Sequence, residues 1–254
     1  MRENQDEGAD WLLPLAAGDT PEMRRPAVAE QIAAQGFAAL LAAAAPESGL
    51  PPATAEERAE AGGHADPDGF LHRRRLARAL LAPLLGRPAA AIRILRDQAG
   101  APRIAAPAGG LFISFSARAG INALALARRP VGIDIELLRP ATAIPWNMLR
   151  ADEQTALRAL PEPARSAAFL RLWTAKEAVA KALGTGLALA PEAIRIADAG
   201  AALRRDAAGN WERLPIRRHN AHSLCRVAPL TIAVALLSSP ASSFMRGGKS
   251  QERA

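Results

Sequence analysis

An α+β fold is predicted by two observations on this 254-residue chain. Helix-period segments precede short apolar, β-like runs in each of two successive halves, so helices and strands are segregated rather than alternating. Stretches rich in proline and glycine punctuate the segments. The halves are expected at residues 11–129 and 130–238, with 1–10 as a flexible acidic leader and 239–254 as a disordered tail. No repeat of identical residues at short period is visible, but a diverged duplication has this appearance.

In chain order, helices are expected at about 26–44, on an alanine-rich apolar side, and at about 69–85. Residues 46–68, with Pro51, Pro52, Gly62 and Gly63, read as loop. Strands follow at Ile92–Arg96, Leu111–Ser116, Ala123–Ala127 and Val131–Ile135. The second half predicts a helix at about 146–160, a longer one at about 164–183, and strands near Ala193–Ile196 and Leu230–Leu237.

Composition narrows the function. The single cysteine, Cys225, excludes an internal disulfide and points to a reducing, cytoplasmic setting. The first residues lack the apolar core of a signal peptide, and the longest apolar runs are too short for a bilayer, so a soluble protein is expected. The net charge of +7 implies an anionic partner. Aromatic content of 4% with no tyrosine, and no zinc-finger spacing, argue against nucleic acid and for an anionic cofactor or an acidic protein.

Of 32 basic residues only Lys176, Lys181 and Lys249 are lysines, and the first two flank Glu177. Lysine acts as a compact point charge where arginine acts as a planar fork, so the choice carries chemical weight. On the helix 164–183, Phe169, Leu172, Trp173, Val179, Ala180 and Leu183 form an apolar stripe, and Lys176 lies on it. A buried ammonium is costly unless it meets an anion. Glu177 and Lys181, four apart, equally suit a surface pair worth about 0.3 kcal/mol. Gly184 ends the helix and suits a C-cap.

A second constellation is Gly132-Ile133-Asp134-Ile135-Glu136. Residues two apart share one face of a strand, so Asp134 and Glu136 project together while Ile133 and Ile135 enter the core. Paired carboxylates suit Mg²⁺ with open positions for phosphate and water; a solvated acidic face has the same pattern.

Val131-Gly-Ile-Asp-Ile-Glu136, followed some forty residues later by Leu172-Trp-x-x-Lys176-Glu177-Ala-x-x-Lys181-Ala-x-Gly184-x-Gly186-Leu187, resembles the 4′-phosphopantetheinyl transferase superfamily. The full domain ahead of Gly132 resembles its two-repeat members. The resemblance covers roughly 70–240. It implies a pseudo-two-fold duplication of two α+β subdomains, each with a small antiparallel sheet on a long helix, and a site at their interface. It implies magnesium ligands at Asp134, Glu136 and Glu177, and phosphate contacts from Lys176 and Lys181. The family's Ser-x-Ser-His stretch is matched by Ser114-Phe-Ser116-Ala117-Arg118, with alanine in the histidine's place, and its Gly-Lys-Pro by Gly100-Ala101-Pro102-Arg103. Arg118 and Arg103 are the expected replacements at the coenzyme A site, with Ser116. Phe70-Leu-His-Arg-Arg-Arg-Leu-Ala-Arg78 resembles the family's basic nucleotide helix, from which Arg75 and Arg78 are expected to reach the ligand.

The implied function is Mg²⁺-dependent transfer of the 4′-phosphopantetheine arm from coenzyme A to a serine of an acyl or peptidyl carrier protein, releasing 3′,5′-ADP. Glu177, directly or through water, is expected as the base, with Lys176 at the phosphoryl oxygens and Lys181 at the leaving group. The expected state is a monomer, with no nucleic acid or membrane partner. Three alternatives stand beside this reading: a carrier-binding homologue without transfer activity, a basic nucleic-acid-binding module, and another Mg²⁺-dependent phosphoryl-transfer enzyme.

Overall fold

The computed structural model describes residues 10–15, 19–43, 49–139, 143–185, 189–198, 200–205, 211–221 and 229–237. The expected leader over 1–9, the tail over 239–254, Cys225, Gly186, Leu187 and Lys249 lie outside the described residues.

The fold is α+β, as the sequence predicts. Its first half comprises β1 (Leu12–Leu15), α1 (Pro21–Gln35), β2 (Phe37–Ala43), α2 (Ala55–Ala61), α3 (Pro67–Leu85), β3 (Ile94–Arg96), β4 (Pro102–Ile104), β5 (Phe112–Arg118) and β6 (Ile121–Ala127). Its second half comprises β7 (Val131–Leu137), α4 (Ala151–Arg158), α5 (Glu162–Leu183), β8 (Ile194–Asp198), β9 (Ala201–Arg205), β10 (Trp211–Ala221) and β11 (Leu230–Leu236). One sheet has the order β1-β2-β6-β5, the other β7-β11-β10-β9-β8, and β3-β4 form a separate hairpin. The first sheet is mixed rather than antiparallel, because β1 pairs parallel to β2.

Connectivity repeats between the halves. A strand, a long helix, a hairpin and a second hairpin follow each other as β2-α3-β3-β4-β5-β6 and as β7-α5-β8-β9-β10-β11. In both, the opening strand pairs with the closing one.

The expected helix over 26–44 is corrected. Gly36, at φ +78°, caps α1 and accepts the left-handed backbone that an L side chain resists. The apolar run after it is β2, buried on both faces, a pattern that a helix with an apolar side shares. The expected loop over 46–68 contains α2, opened by a capping box. Thr54 Oγ1 accepts from the Glu57 amide at 3.1 Å, and Glu57 Oε2 accepts from the Thr54 amide at 2.9 Å.

Alternation along the strands builds a layered body. Phe37, Ala39, Leu41, Ala123 and Ala125 of the first sheet meet Ile133, Ile135, Ile232 and Val234 of the second in one core. The opposite face of the first sheet, through Leu40, Leu124 and Leu126, packs on Val28 and Ile32 of α1 and Leu76 and Leu80 of α3. The opposite face of the second sheet, through Ala233 and Ala235, packs on Ala175, Ala178, Val179 and Ala182 of α5. The tight inner face of α5 is therefore its small residues, while Trp173 and Leu172 of the expected stripe are partly buried near its middle.

Small residues bring α5 close, and Gly132 brings it closer. A methyl group on Gly132 would overlap the Ala178 carbonyl oxygen and the Ala182 amide nitrogen, and would stand 2.9 Å from Lys181 Cβ. Helix and acidic strand are thus in backbone contact at this point.

A carboxylate cleft between the two sheets

β5 and β7, one from each sheet, run side by side and are joined by serine hydroxyls. The Ile133 amide donates to Ser114 Oγ at 3.1 Å and the Ile135 amide to Ser116 Oγ at 3.3 Å. Ser116 in turn donates to Asp134 Oδ1 at 2.8 Å. Ser116, expected as a ligand contact, is therefore bonded to the strand that carries the carboxylates. Ser114 escaped sequence reasoning, although the two-residue spacing of the serines puts both on one strand face.

Beside this junction opens a cleft of about 610 Å³. Asp134 and Glu136 of β7, Glu177 and Lys181 of α5, Ser116 and Arg118 of β5, and Arg103 of β4 all line it. Lys181 Nζ donates to Asp134 Oδ1 at 2.7 Å, to the Ile133 carbonyl at 3.1 Å and to the Phe115 carbonyl at 3.3 Å. Arg118 Nε donates to Glu136 Oε2 at 2.7 Å, and its Nη2 also contacts that carboxylate. Arg103 pairs with Asp97 at 2.8 Å, in the β3-β4 hairpin that forms the cleft's rim.

The Glu177 carboxyl titrates above the ordinary glutamate range. Burial is the main cause, and the charges of Asp134 and Glu136 add to it while Lys181 opposes them. A group whose folded pKa is raised supports the fold while protonated and loses that support as pH rises through the folded value. Ionised Glu177 therefore costs stability at neutral pH. Glu177→Gln is expected to raise the unfolding temperature at pH 7 in a chelating buffer, with the gain vanishing below the ordinary carboxylate range. A thermal-melt series against pH reads this; a variant that melts lower than wild type at neutral pH contradicts it.

Three carboxylates face one cleft, one of them kept from ionising mainly by burial and further by the other two, and form an oxygen donor set. That chemistry fits a hard divalent cation such as Mg²⁺. As the side chains stand, no three acidic, histidine or cysteine groups are gathered at ligating distance among the described residues. Lys181 holds Asp134 and Arg118 holds Glu136 instead.

Three expected site residues lie elsewhere. Lys176 is 2% exposed and donates to Glu153 Oε2 at 2.7 Å and the Pro191 carbonyl at 2.8 Å, tying α5 to α4 and to the turn before β8. Burial lowers its pKa, and Glu153 partly restores it. A one-residue step along a helix turns a side chain by about 100°, which separates Lys176 from the cleft that Glu177 lines. Lys176→Ala would strand a buried carboxylate, so a loss of about 3–5 kcal/mol in denaturant unfolding is expected. A loss below about 0.5 kcal/mol would contradict this.

Arg75 and Arg78 are the other two. Arg75 Nε donates to the Pro51 carbonyl at 2.7 Å. Arg78, 1% exposed, pairs with Glu57 through Nε at 2.8 Å and Nη2 at 2.9 Å and donates to the Ala89 carbonyl. Both fasten α2 and the segment before it to α3. Their neighbours Arg73 and Arg74 line the cleft instead. Arg73 donates to Asn122 Oδ1 at 2.9 Å, and Arg74 lies over the rings of Phe70 and Phe115 at 5.0 and 5.7 Å. Arg96 of β3 completes that basic wall. Spacing alone gave no way to choose among four arginines on a helix buried on several sides.

Ala117 and Ala101, where the resembling family carries charge, both line the cleft. Residues 130–228 match the family model of the 4′-phosphopantetheinyl transferase superfamily. A protein named 4′-phosphopantetheinyl transferase HetI, from Nostoc sp., is 32% identical over 130 residues, which cover 46% of this chain and 54% of that protein. The chain spans about half the length of the curated relative it matches. The matched segment begins at the strand bearing Asp134 and Glu136 and runs through the helix bearing Glu177 and Lys181, so the similarity to the 4′-phosphopantetheinyl transferase superfamily falls on the residues that line the cleft.

Proposed function

We propose that this chain transfers the 4′-phosphopantetheine arm of coenzyme A to a serine of an acyl or peptidyl carrier protein, releasing 3′,5′-ADP. The observation that carries the proposal is the convergence of Asp134, Glu136, Glu177 and Lys181 on one cleft, opposite a wall of arginines. Carboxylates for a cation and guanidinium groups for phosphates are what a pyrophosphate-bearing nucleotide requires.

Asp134, Glu136 and Glu177 would hold Mg²⁺, which when bound neutralises the pyrophosphate and the charge that develops in transfer. Ser116 and Lys181 both donate to Asp134 Oδ1, so its carboxylate is presented without rearrangement of the strand. Arg73, Arg74 and Arg96 bear on the nucleotide phosphates, with Arg103 and Arg118 at the rim. The carrier serine loses its proton to Glu177, directly or through water. The serine oxygen forms the new bond to the β-phosphorus while the bond to the bridging oxygen of 3′,5′-ADP breaks. Lys181 stabilises or protonates that leaving oxygen. Lys176 acts on none of these atoms; it holds α5 in place.

The wider reading is a cytoplasmic monomer of the two-repeat type, its site completed between its own halves, with a basic surface steering an acidic carrier protein. Mixing the protein with coenzyme A, Mg²⁺ and a panel of apo-carrier proteins tests it. At least one carrier is expected to gain the mass of one phosphopantetheine by intact-mass measurement. Binding of a carrier with no mass gain across the panel would favour a homologue without transfer activity, a reading to which Ala117 and Ala101 lend support.

A further inference from the structure

Arg118 and Lys181 both neutralise cleft carboxylates, but they are held differently. Lys181 Nζ also donates to two strand carbonyls, so it keeps partners when Asp134 turns away. The Arg118 guanidinium is spent on Glu136, at the solvent end of β5, and its side chain is 52% exposed against 16% for Glu136. The backbone there is fixed by the pairing of Arg118 with Ile121 across the tight turn at Ala119 and Gly120. Only the side chain is free to swing. It has room, because Arg118 lines both the main cleft and an adjoining hollow of about 510 Å³ beside the start of α3.

A guanidinium paired with both Glu136 oxygens sets its positive charge where a divalent cation would sit, so the two cations compete for the carboxylate. We propose that Arg118 is an exchange cation, holding Glu136 in the metal-free protein and passing to a nucleotide phosphate when a divalent cation takes the carboxylate. Each ligand then prepares the site of the other, and coupling between two binding events is reciprocal. The inference rests on the reading that this cleft takes the nucleotide of coenzyme A. It adds that Arg118 opposes metal binding until that nucleotide arrives. Exposed ion pairs are weak, so the exchange has a low threshold.

Calorimetric titration of the full chain with Mn²⁺, and in EDTA with adenosine 3′,5′-bisphosphate, tests this, with matched thermal melts as the check of folding. Arg118→Gln is expected to bind Mn²⁺ about two- to five-fold more tightly than wild type when no nucleotide is present. The same variant should bind the bisphosphate about ten-fold more weakly. Glu136→Gln, which releases Arg118, should bind the bisphosphate in EDTA about two- to five-fold more tightly than wild type. Mn²⁺ affinity unchanged or weakened in Arg118→Gln, or bisphosphate affinity not raised in Glu136→Gln, overturns the exchange while leaving the cleft's assignment intact. Wild type that binds no bisphosphate overturns both.

Discussion

Gly132→Ala is expected to destabilise the protein by about 3 kcal/mol or more, at the upper end of single-residue effects. The reason is geometric. The added methyl meets the backbone of α5 at Ala178 and Ala182, and backbone cannot rotate aside as a side chain can. Either α5 lifts from β7 or β7 twists out of its pairing with β11, and both carry Asp134 away from Lys181. Denaturant unfolding gives the loss directly. A variant within about 0.5 kcal/mol of wild type would mean that helix and strand are further apart than described. Gly132 belongs to the same motif as Asp134 and Glu136, and its part is to let the two sides of the site meet.

Lys181→Met is expected to lower turnover about 10²- to 10³-fold, the range for removing one preorganised electrostatic group. Methionine keeps the stem's length and packing, so the fold should hold. The loss should fall mainly on kcat, since the phosphate contacts proposed for the arginine wall are left in place. Steady-state rates against coenzyme A concentration separate the two parameters. A rise in KM alone, with kcat retained, would make Lys181 a binding residue only. The contrast with Lys176 is the point of interest. Two lysines five positions apart on one helix are expected to fail differently, one through stability and one through rate.

That contrast also shows what was legible in the sequence. The acidic strand was read correctly because strand periodicity is two and the isoleucines between the carboxylates declare the buried face. The long helices α3 and α5 were read to within a few residues, because their length and punctuation are unambiguous. For Lys176 both the resemblance and the need of a buried ammonium for an anion point to phosphate; the anion is Glu153, from another helix. The resemblance of Phe70–Arg78 to a basic nucleotide helix points to this helix, and only shared helix face selects Arg75 and Arg78 from it. Which face of α3 meets the ligand depends on α2, and α2 lay hidden in a stretch that composition describes as loop. Its Thr54-x-x-Glu57 capping signature was present and would have revealed it. β2 was taken for helix because a strand buried on both faces has no period to betray it. Gly132 and Ser114 act through contacts between elements, which no local pattern encodes.

The carboxylate cleft between the sheets is proposed as the place where coenzyme A gives up its phosphopantetheine. Intact-mass analysis of one responsive apo-carrier protein, incubated with coenzyme A, Mg²⁺ and either wild type or Asp134→Asn, tests it most directly. Asparagine preserves the size of the side chain and removes the charge that Ser116 and Lys181 surround. Full conversion of the carrier by wild type and none by the variant is expected, with both proteins giving the same folded circular-dichroism spectrum. Conversion by folded Asp134→Asn at the wild-type rate would contradict it.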